Sequence, residues 1–560
     1  MDVKKRSDRL IALVKFGIAP SLFFLICFLI LTWPAVVRFP THFFADAGDG
    51  LQNIWNIWWV ERAVTVLHQN PWRTTYLHYP YGTSLIGHTL TPFNGFFAIL
   101  LSPFMSLVAV HNCLVTFAFV TAGVTAFLLA HHLTRAYWPS LIAGFMFTFS
   151  SFHFEHAEGH LQLVSLQWIP LFVLLWLRLM RKPTIALGVA AALVLFLVIL
   201  CDYYYFLYCV IAGFIILCWA AIRGEIPRPL KDGRHLVALG TFAAVALATS
   251  GVLAGSLLVA NQSDPWVGAH LSSDYALDLL APFIYGGHWR FASLTSRYWT
   301  RLQANYHESS VHLGFSMLLP IVYLGWKRQD TRVGEVGLFF LLFVLFFMAA
   351  LGPILLVGGK DVFGGRRILP YALLEILFPP LNVSGVPIRM MVMVVLSGAV
   401  LSAFAFARLL RGSTREKTFA LCMTSLLVIE YLPKPIATVQ MPIPHYVMVL
   451  KNLPGNEGIL DTVGGDDVGM FYQTIHGKPL ALGYLARVPQ SVDAKDRQLE
   501  DLIRSERFDR LWPDYRLRYV VGADTNHALR TWTGTRTIWD DGRIGVFDVS
   551  ALEPRSAQAR

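Results

Sequence analysis

Charge is scarce in this chain. Only 15% of its 560 residues are Asp, Glu, Lys or Arg, against about 25% in a soluble domain. Apolar residues make up 55% and the mean hydropathy is +0.52. A soluble globular protein is thereby excluded. So is a membrane β-barrel, because the apolar stretches are continuous where a barrel strand would alternate. The six cysteines, Cys27, Cys113, Cys201, Cys209, Cys218 and Cys422, all fall within apolar runs. They imply neither a disulfide framework nor a zinc pattern. No GxGxxG, Walker A, kinase or G-x-S-x-G pattern occurs in a plausible setting, and no internal repeat or low-complexity tract stands out. The loops between apolar runs on one side are too short for a nucleotide-binding domain.

What is present is a series of runs near the length of about 20 residues that spans a bilayer. They lie at about 11–33, 110–130, 138–152, 163–180, 184–203, 204–222, 236–259, 312–326, 335–357, 386–410 and 418–432, so about eleven transmembrane helices are expected. The net charge of +10 comes from Lys and Arg concentrated in the short loops HHLTRAYW, RLMRKP, IRGEIPRPLKDGRH, WKRQDTR and RLLRGSTREK. That distribution sets orientation and does not point to nucleic acid. The basic start MDVKKRSDRL reads as the cytoplasmic flank of a retained anchor. Loops 34–108, 153–162, 260–311 and 358–385 then face outward. The piece at 92–108, broken by Pro92 and Pro103, is expected to be interfacial or re-entrant. If it spanned, every basic loop after it would face out.

From Pro433 the hydropathy falls. Residues 433–560 read as an extracytoplasmic α/β module after a membrane domain at 1–432. Strands are expected at Gly458–Val463, Leu517–Val521 and Arg543–Val549, and a helix at Val492–Arg507.

Three polar clusters share the outer side. The first is Asp46 and Asp49, just before a helix at 50–68. Leu51, Ile54, Trp55 and Trp58 fall on one face of that helix, so it is expected to lie along the membrane. The second is FHFEHAEGHLQ at 152–162, with His153, Glu155, His156, Glu158 and His160. The third holds Asp264, His288, Arg290, Arg297, Arg301, His307 and Glu308, with Asp202, Tyr203–Tyr205 and Arg389 at the outer ends of spans. Ionisable groups at a membrane edge are costly unless they have a use. Each cluster also has an ordinary reading. Asp49 and Gln52 have the spacing of a capping box, and Asp46 suits a solvated turn. His156 and His160 stand at i, i+4 on a helix, as metal ligands can, but the order HxEHxExxH is not that of a zinc protease. Arg389 suits either a bound lipid phosphate or a headgroup anchor.

With an anchor, an acidic outer loop, interfacial helices, a basic inner turn (HHLTR) and a polar mouth (FHFEHAEGH) in that order, the chain resembles the GT-C superfamily of membrane glycosyltransferases. That superfamily includes protein O-mannosyltransferases and lipid A aminoarabinose transferases. A bacterial group of GT-C-like membrane proteins is nearer still, through GDGLQNIWNIWW, YPYGTSL, GHLQLVSLQWIPLF, GVPIRMM and FYQTIHGKPLALGYLAR. The likeness covers most of the chain. Its acids are spaced Asp-x-x-Asp, where better-known members carry an adjacent pair or Asp-x-Asp.

The resemblance implies an inverting transfer of a sugar from a polyprenyl phosphate to an extracytoplasmic glycan, lipid or protein acceptor, in a bacterial inner membrane. It implies a carboxylate general base, Asp49 first and Asp46 second. His88, Glu155, His156, His160, Arg297, His307, Glu308 and Arg389 would bind substrate. A divalent cation such as Mg or Mn, if used, would sit on Asp46, Asp49, Glu155 and His156. A flippase for a lipid-linked substrate and a non-catalytic scaffold are the rival readings.

Overall fold

The computed structural model describes residues 2–223, 233–268, 270–302, 308–326, 334–378, 381, 385–523 and 527–553. The basic turns expected around 224–232 and 327–333 lie outside the described residues, as does His307. The protein is mainly helical and falls into two compact units. One comprises residues 1–39, 112–253 and 270–437, and the other 40–111, 254–269 and 438–560.

The first unit is a helical membrane bundle. Among the described residues, six helices are long and apolar enough to cross a bilayer: Ser7–Leu31, Leu107–Thr134, Leu161–Arg181, Tyr203–Ile222, Gly233–Ser263 and Pro387–Leu409. Each coincides with an expected span. Other expected spans appear as shorter helices: Tyr137–Thr148, Ile185–Cys201, Phe315–Trp326, Gly334–Ala350 and Glu416–Glu430. Pro387–Leu409 is the central one, with 89% of its apolar window buried. Tyr137–Thr148, Phe315–Trp326 and Gly334–Ala350 pack around it. In lipid, helices associate by close van der Waals packing, and small residues permit it. A Cβ on Gly144 would stand 2.6 Å from the carbonyl oxygen of Gly123, and one on Gly188 would stand 2.5 Å from that of Ala238. At these two crossings the backbones touch because no side chain intervenes.

The second unit is α/β. Its four-stranded sheet runs in the order Gly458–Asp461, Leu517–Ala523, Ile544–Asp548, Arg536–Asp540. The first pair is parallel and the others are antiparallel. The three expected strands are present, and Arg536–Asp540 is an additional edge strand. The expected helix runs Gln490–Arg504. One continuous core joins this sheet to the first loop: Leu51, Ile54, Trp55 and Trp59 bury with Tyr446, Ile459, Met470 and Tyr519.

The helix after the acidic turn is therefore not interfacial. Asp49–Thr65 is buried on nearly all sides, with Leu51, Ile54, Trp55, Ile57, Trp59 and Val60 fully covered and Gln52, Asn53 and Asn56 beside them. A helix covered on nearly every side is a core helix even where polar residues interrupt its apolar surface. It lies between Pro92–Leu101 and Gly465–His476. Its tryptophans act as core groups: Trp55 Nε1 donates to Gln473 Oε1 at 2.6 Å, and Trp59 Nε1 to the Pro71 carbonyl at 2.9 Å. Pro92–Leu101 is a ten-residue helix, too short to span.

Candidate functional site

In the first unit, the second polar cluster folds into the short helix Ser151–His156 and the turn behind it. His153 is structural. Its ring stacks on Phe119 with centroids 3.8 Å apart, and its two nitrogens face the carbonyls of Thr148 and Val164 at 2.7 and 2.9 Å. Burial lowers its pKa to about 4. His156 points the other way. Its Nδ1 is 3.3 Å from Nδ1 of His160, and its Nε2 is 3.7 Å from Oε2 of Glu308.

Glu308 ends the long outer loop and is 3% exposed. Arg389 grips it with a bidentate fork: Nε lies 3.1 and 3.2 Å from the two carboxylate oxygens, and Nη2 also donates to Oε1. The guanidinium lies 4.9 Å from the centroid of the Tyr204 ring. Arg389 sits in the 3₁₀ turn Pro387–Met390 at the head of the central helix, and Asp202 caps Tyr203–Ile222 through the Tyr205 N–H at 2.9 Å. Burial alone would raise the Glu308 carboxyl, but the Arg389 guanidinium overrides it and holds it well below the carboxylate range. Burial pushes His156 well below its usual value, with Glu308 opposing. The result is an ionised acid–guanidinium pair with neutral imidazole beside it.

His156, His160 and Glu308 each bring one ligand atom within 4.8 Å of the others. Three N/O donors so close suit a cation bound at about 2.0–2.2 Å. Next to them, Glu155 Oε2 and Glu158 Oε1 stand 3.7 and 3.4 Å from Nδ1 of His288. His288 stacks on Phe154 at 5.3 Å, and neither of its ring nitrogens is hydrogen-bonded. Arg297 is on the exposed turn Ser296–Trp299 of the same unit.

Asp46, Asp49 and His88 belong to the second unit. Asp46 Oδ1 accepts from the N–H groups of Gly48 and Gly50 at 3.1 and 2.8 Å. Gly50 allows this tight turn, since a Cβ there would stand 2.6 Å from that of Ala45. The N-cap position is Gly48, and Asp49 is the first residue inside the helix. The capping-box reading of Asp49 is therefore replaced: Asp46 ties up the start of the helix. His88 is 2% exposed. Its Nδ1 accepts from Ala486 N–H at 3.1 Å, so its Nε2–H donates to Asn56 Oδ1 at 2.9 Å. Burial, with His78 adding, lowers its pKa to about 3. Both of its nitrogens are thus engaged inside the unit.

Sequence reasoning missed Asp467, on the helix Gly465–His476 that packs against Asp49–Thr65. Burial first, then the carboxylates of Asp49, Asp466 and Asp46, push its pKa up to about 6. The signal was the pair Asp466–Asp467 directly ahead of the apolar VGMFY. The expected cation ligands divide accordingly: His156 gathers with His160 and Glu308 in one unit, and Asp46 and Asp49 neighbour Asp467 in the other.

The fold, a bundle of apolar helices, is similar to those of solved GT-C membrane glycosyltransferases. A mycobacterial arabinofuranosyltransferase, AftD, is similar with a TM-score of 0.53 at 10% identity, over 95% of this chain and 40% of that one. The oligosaccharyltransferase of Archaeoglobus fulgidus gives 0.46 at 13% identity, over 90% and 69%. ArnT of Cupriavidus metallidurans, bound to undecaprenyl phosphate, gives 0.45 at 13%, over 95% and 99%. No curated protein matches the chain by sequence. Residues 21–432 match a family described as a domain of unknown function (DUF6311), and the chain belongs to that family.

Proposed function

We propose that this protein is a multi-pass glycosyltransferase that moves a sugar from a polyprenyl-phosphate donor to an extracytoplasmic acceptor of the cell envelope. The observation that carries this reading is the buried Arg389–Glu308 pair with His156 and His160 at the head of an apolar helix. A buried ion pair is weak evidence for stability and costs several kcal/mol per ion to desolvate. At a membrane edge such groups point to function. A lipid phosphate is a good leaving group that needs cations and no strong acid. Glu308 holds the Nε and Nη2 side of the guanidinium, and the Nη1 edge is offered to the phosphate. A divalent transition-metal ion such as Mn on His156, His160 and Glu308, a set with two imidazole donors that suits it better than Mg, would add positive charge there.

In the transfer itself, Asp49, with Asp46 second, takes the proton of the acceptor hydroxyl, a contribution of about 10²–10⁴-fold. The new bond forms at the anomeric carbon as the bond to the lipid phosphate breaks, with inversion. Eleven spans, a cytoplasmic N-terminus, an extracytoplasmic C-terminal segment and the bacterial inner membrane complete the reading. A knockout complemented with Asp49→Asn or Asp46→Asn at normal expression tests it. Loss of the envelope glycan with Asp49→Asn is expected, and retained product in both variants refutes the assignment.

A further inference from the structure

The second unit contains a cleft of about 550 Å³ that none of the roles above uses. Its size falls within the roughly 300–1,000 Å³ of small-molecule sites. Segments far apart in sequence build it. One wall is the hairpin that pairs Arg73–Thr74 with Thr83–Ser84. The other is the pairing of Trp266–Val267 with Val488–Pro489, where the chain enters helix Gln490–Arg504.

The chemistry of the lining is selective. Hydroxyl and amide side chains outnumber charged ones. Asp264 is fixed in place, its two oxygens taking the N–H and Oγ of Ser491 at 3.0 and 2.5 Å. Arg73 is exposed and makes no ion pair among the described residues. Two rings border the space. Tyr81 is 53% exposed, with the Lys495 ammonium 4.2 Å from its ring centroid. Trp266 lies flush on Gly87, where a Cβ would come within 2.6 Å of the ring, so the indole is seated before any ligand arrives. Rings with an apolar face and a polar rim, between fixed hydroxyls and a carboxylate, fit a ligand whose own faces are apolar C–H and whose edges are hydroxyls. A single unpaired guanidinium adds room for one acidic substituent.

We infer that this cleft binds a short oligosaccharide of the acceptor glycan, with sugar rings on Trp266 and Tyr81, hydroxyls on Asp264 and the Ser/Thr wall, and any carboxylate on Arg73. The inference rests on the glycosyltransferase reading and names its acceptor class. Fixing the acceptor away from the reacting hydroxyl converts binding energy into orientation.

The test uses the full-length chain in nanodiscs on an array of neutral and uronic-acid-bearing oligosaccharides, with hits followed by tryptophan fluorescence. Thr75 is exposed on the cleft wall, so Thr75→Trp fills the space without disturbing a core. The hits should bind wild type and Asp49→Asn alike and lose at least about tenfold in affinity with Thr75→Trp. Arg73→Ala should weaken only the acid-bearing hits, and Tyr81→Ala should weaken all, which keeps the test decisive if Thr75→Trp misfolds. No binding by any array member, or equal binding by wild type, Thr75→Trp and Tyr81→Ala, overturns the inference. If binding fails while transfer in cells still needs Asp49, this inference falls alone. If binding follows the cleft variants while Asp46→Asn and Asp49→Asn both keep the product, the catalytic reading falls instead.

Discussion

Removing the carboxylate from the Arg389–Glu308 pair should be among the most damaging single changes in the chain. Glu308→Gln keeps the shape and leaves a guanidinium in a site where its partner is only 3% exposed. Deleting one member of a buried pair costs about 3–5 kcal/mol, because the other charge stays desolvated and uncompensated. Replacing both members with apolar groups of similar volume is often neutral. Glu308→Gln should therefore lower the thermal midpoint of the detergent-solubilised protein sharply, and Glu308→Leu/Arg389→Met should recover most of it. If the pair binds phosphate, the double variant regains stability without regaining transfer; recovery of both would make the pair structural. The pH dependence has a defined sign. The folded pKa of Glu308 is depressed, so its stabilisation is present above the ordinary carboxylate pKa and is lost only as pH falls through the lower folded value. Wild type should hold its midpoint through pH 5, and Glu308→Gln should be destabilised equally across that range. A loss under about 1 kcal/mol for Glu308→Gln, measured against the double variant, would refute the buried-charge argument.

Other expectations follow from the same geometry. Asp467 has its pKa raised to about 6 by burial and by Asp49, Asp466 and Asp46, so its favourable contribution exists below the unfolded value of about 3.9 and is gone above about 6. Asp467→Asn should stabilise the protein by about 1 kcal/mol at pH 7.5 after discounting for solvent, with no gain at pH 4, as read from thermal midpoints across pH. Asp46→Ala should cost about 1 kcal/mol by freeing the Gly48 and Gly50 N–H groups, while Asp49→Asn, which relieves its repulsion on Asp467, should not lower the midpoint and should abolish glycan product. Gly144→Val drives a side chain into the Gly123 carbonyl and should cost about 1–3 kcal/mol or abolish membrane expression.

The six long helices were legible because the membrane imposes a length and a composition that the sequence displays directly. The sheet strands were legible from short β-branched runs such as LRYVV. Arg536–Asp540 was not, because RTIWD is a partly exposed edge whose place is set by its neighbour Ile544–Asp548. The helix Asp49–Thr65 shows how periodicity can mislead. Leu51, Ile54, Trp55 and Trp58 do mark one face, yet Ile57 and Val60 bury as well, and the partner that covers them, Gly465–His476, lies about 400 residues on. At the site, Arg389 stood out as a costly charge within GVPIRMM. Its partner Glu308 is 81 residues away, a separation at which spacing says nothing. His88 looked available as a polar residue in an outer loop, whereas Ala486 N–H and Asn56 take both its nitrogens.

The placement of charge along the long helices bears on the choice between the proposed enzyme and a transporter. Transporters set ionisable side chains and helix breaks near mid-membrane, where the substrate must pass. In Pro387–Leu409 the arginines are Arg389 and Arg408, one at each end, with VVLSGAVLS between them. Leu161–Arg181 carries Arg178 and Arg181 at its end, Gly233–Ser263 carries Arg234 at its start, and Tyr203–Ile222 carries no Asp, Glu, Lys or Arg. None of the six has such a residue at its midpoint. The buried ion pair lies instead at a helix head, in Arg389 and its partner Glu308. A lipid-borne donor presents its phosphate at that level and keeps its chain in the bilayer, so a site there needs no path across the membrane. Moving the charge inward by Ser397→Arg, about two turns from Arg389, should lower membrane expression and the thermal midpoint sharply, because the central helix is buried there against Met317 and Ile321 at Gly398.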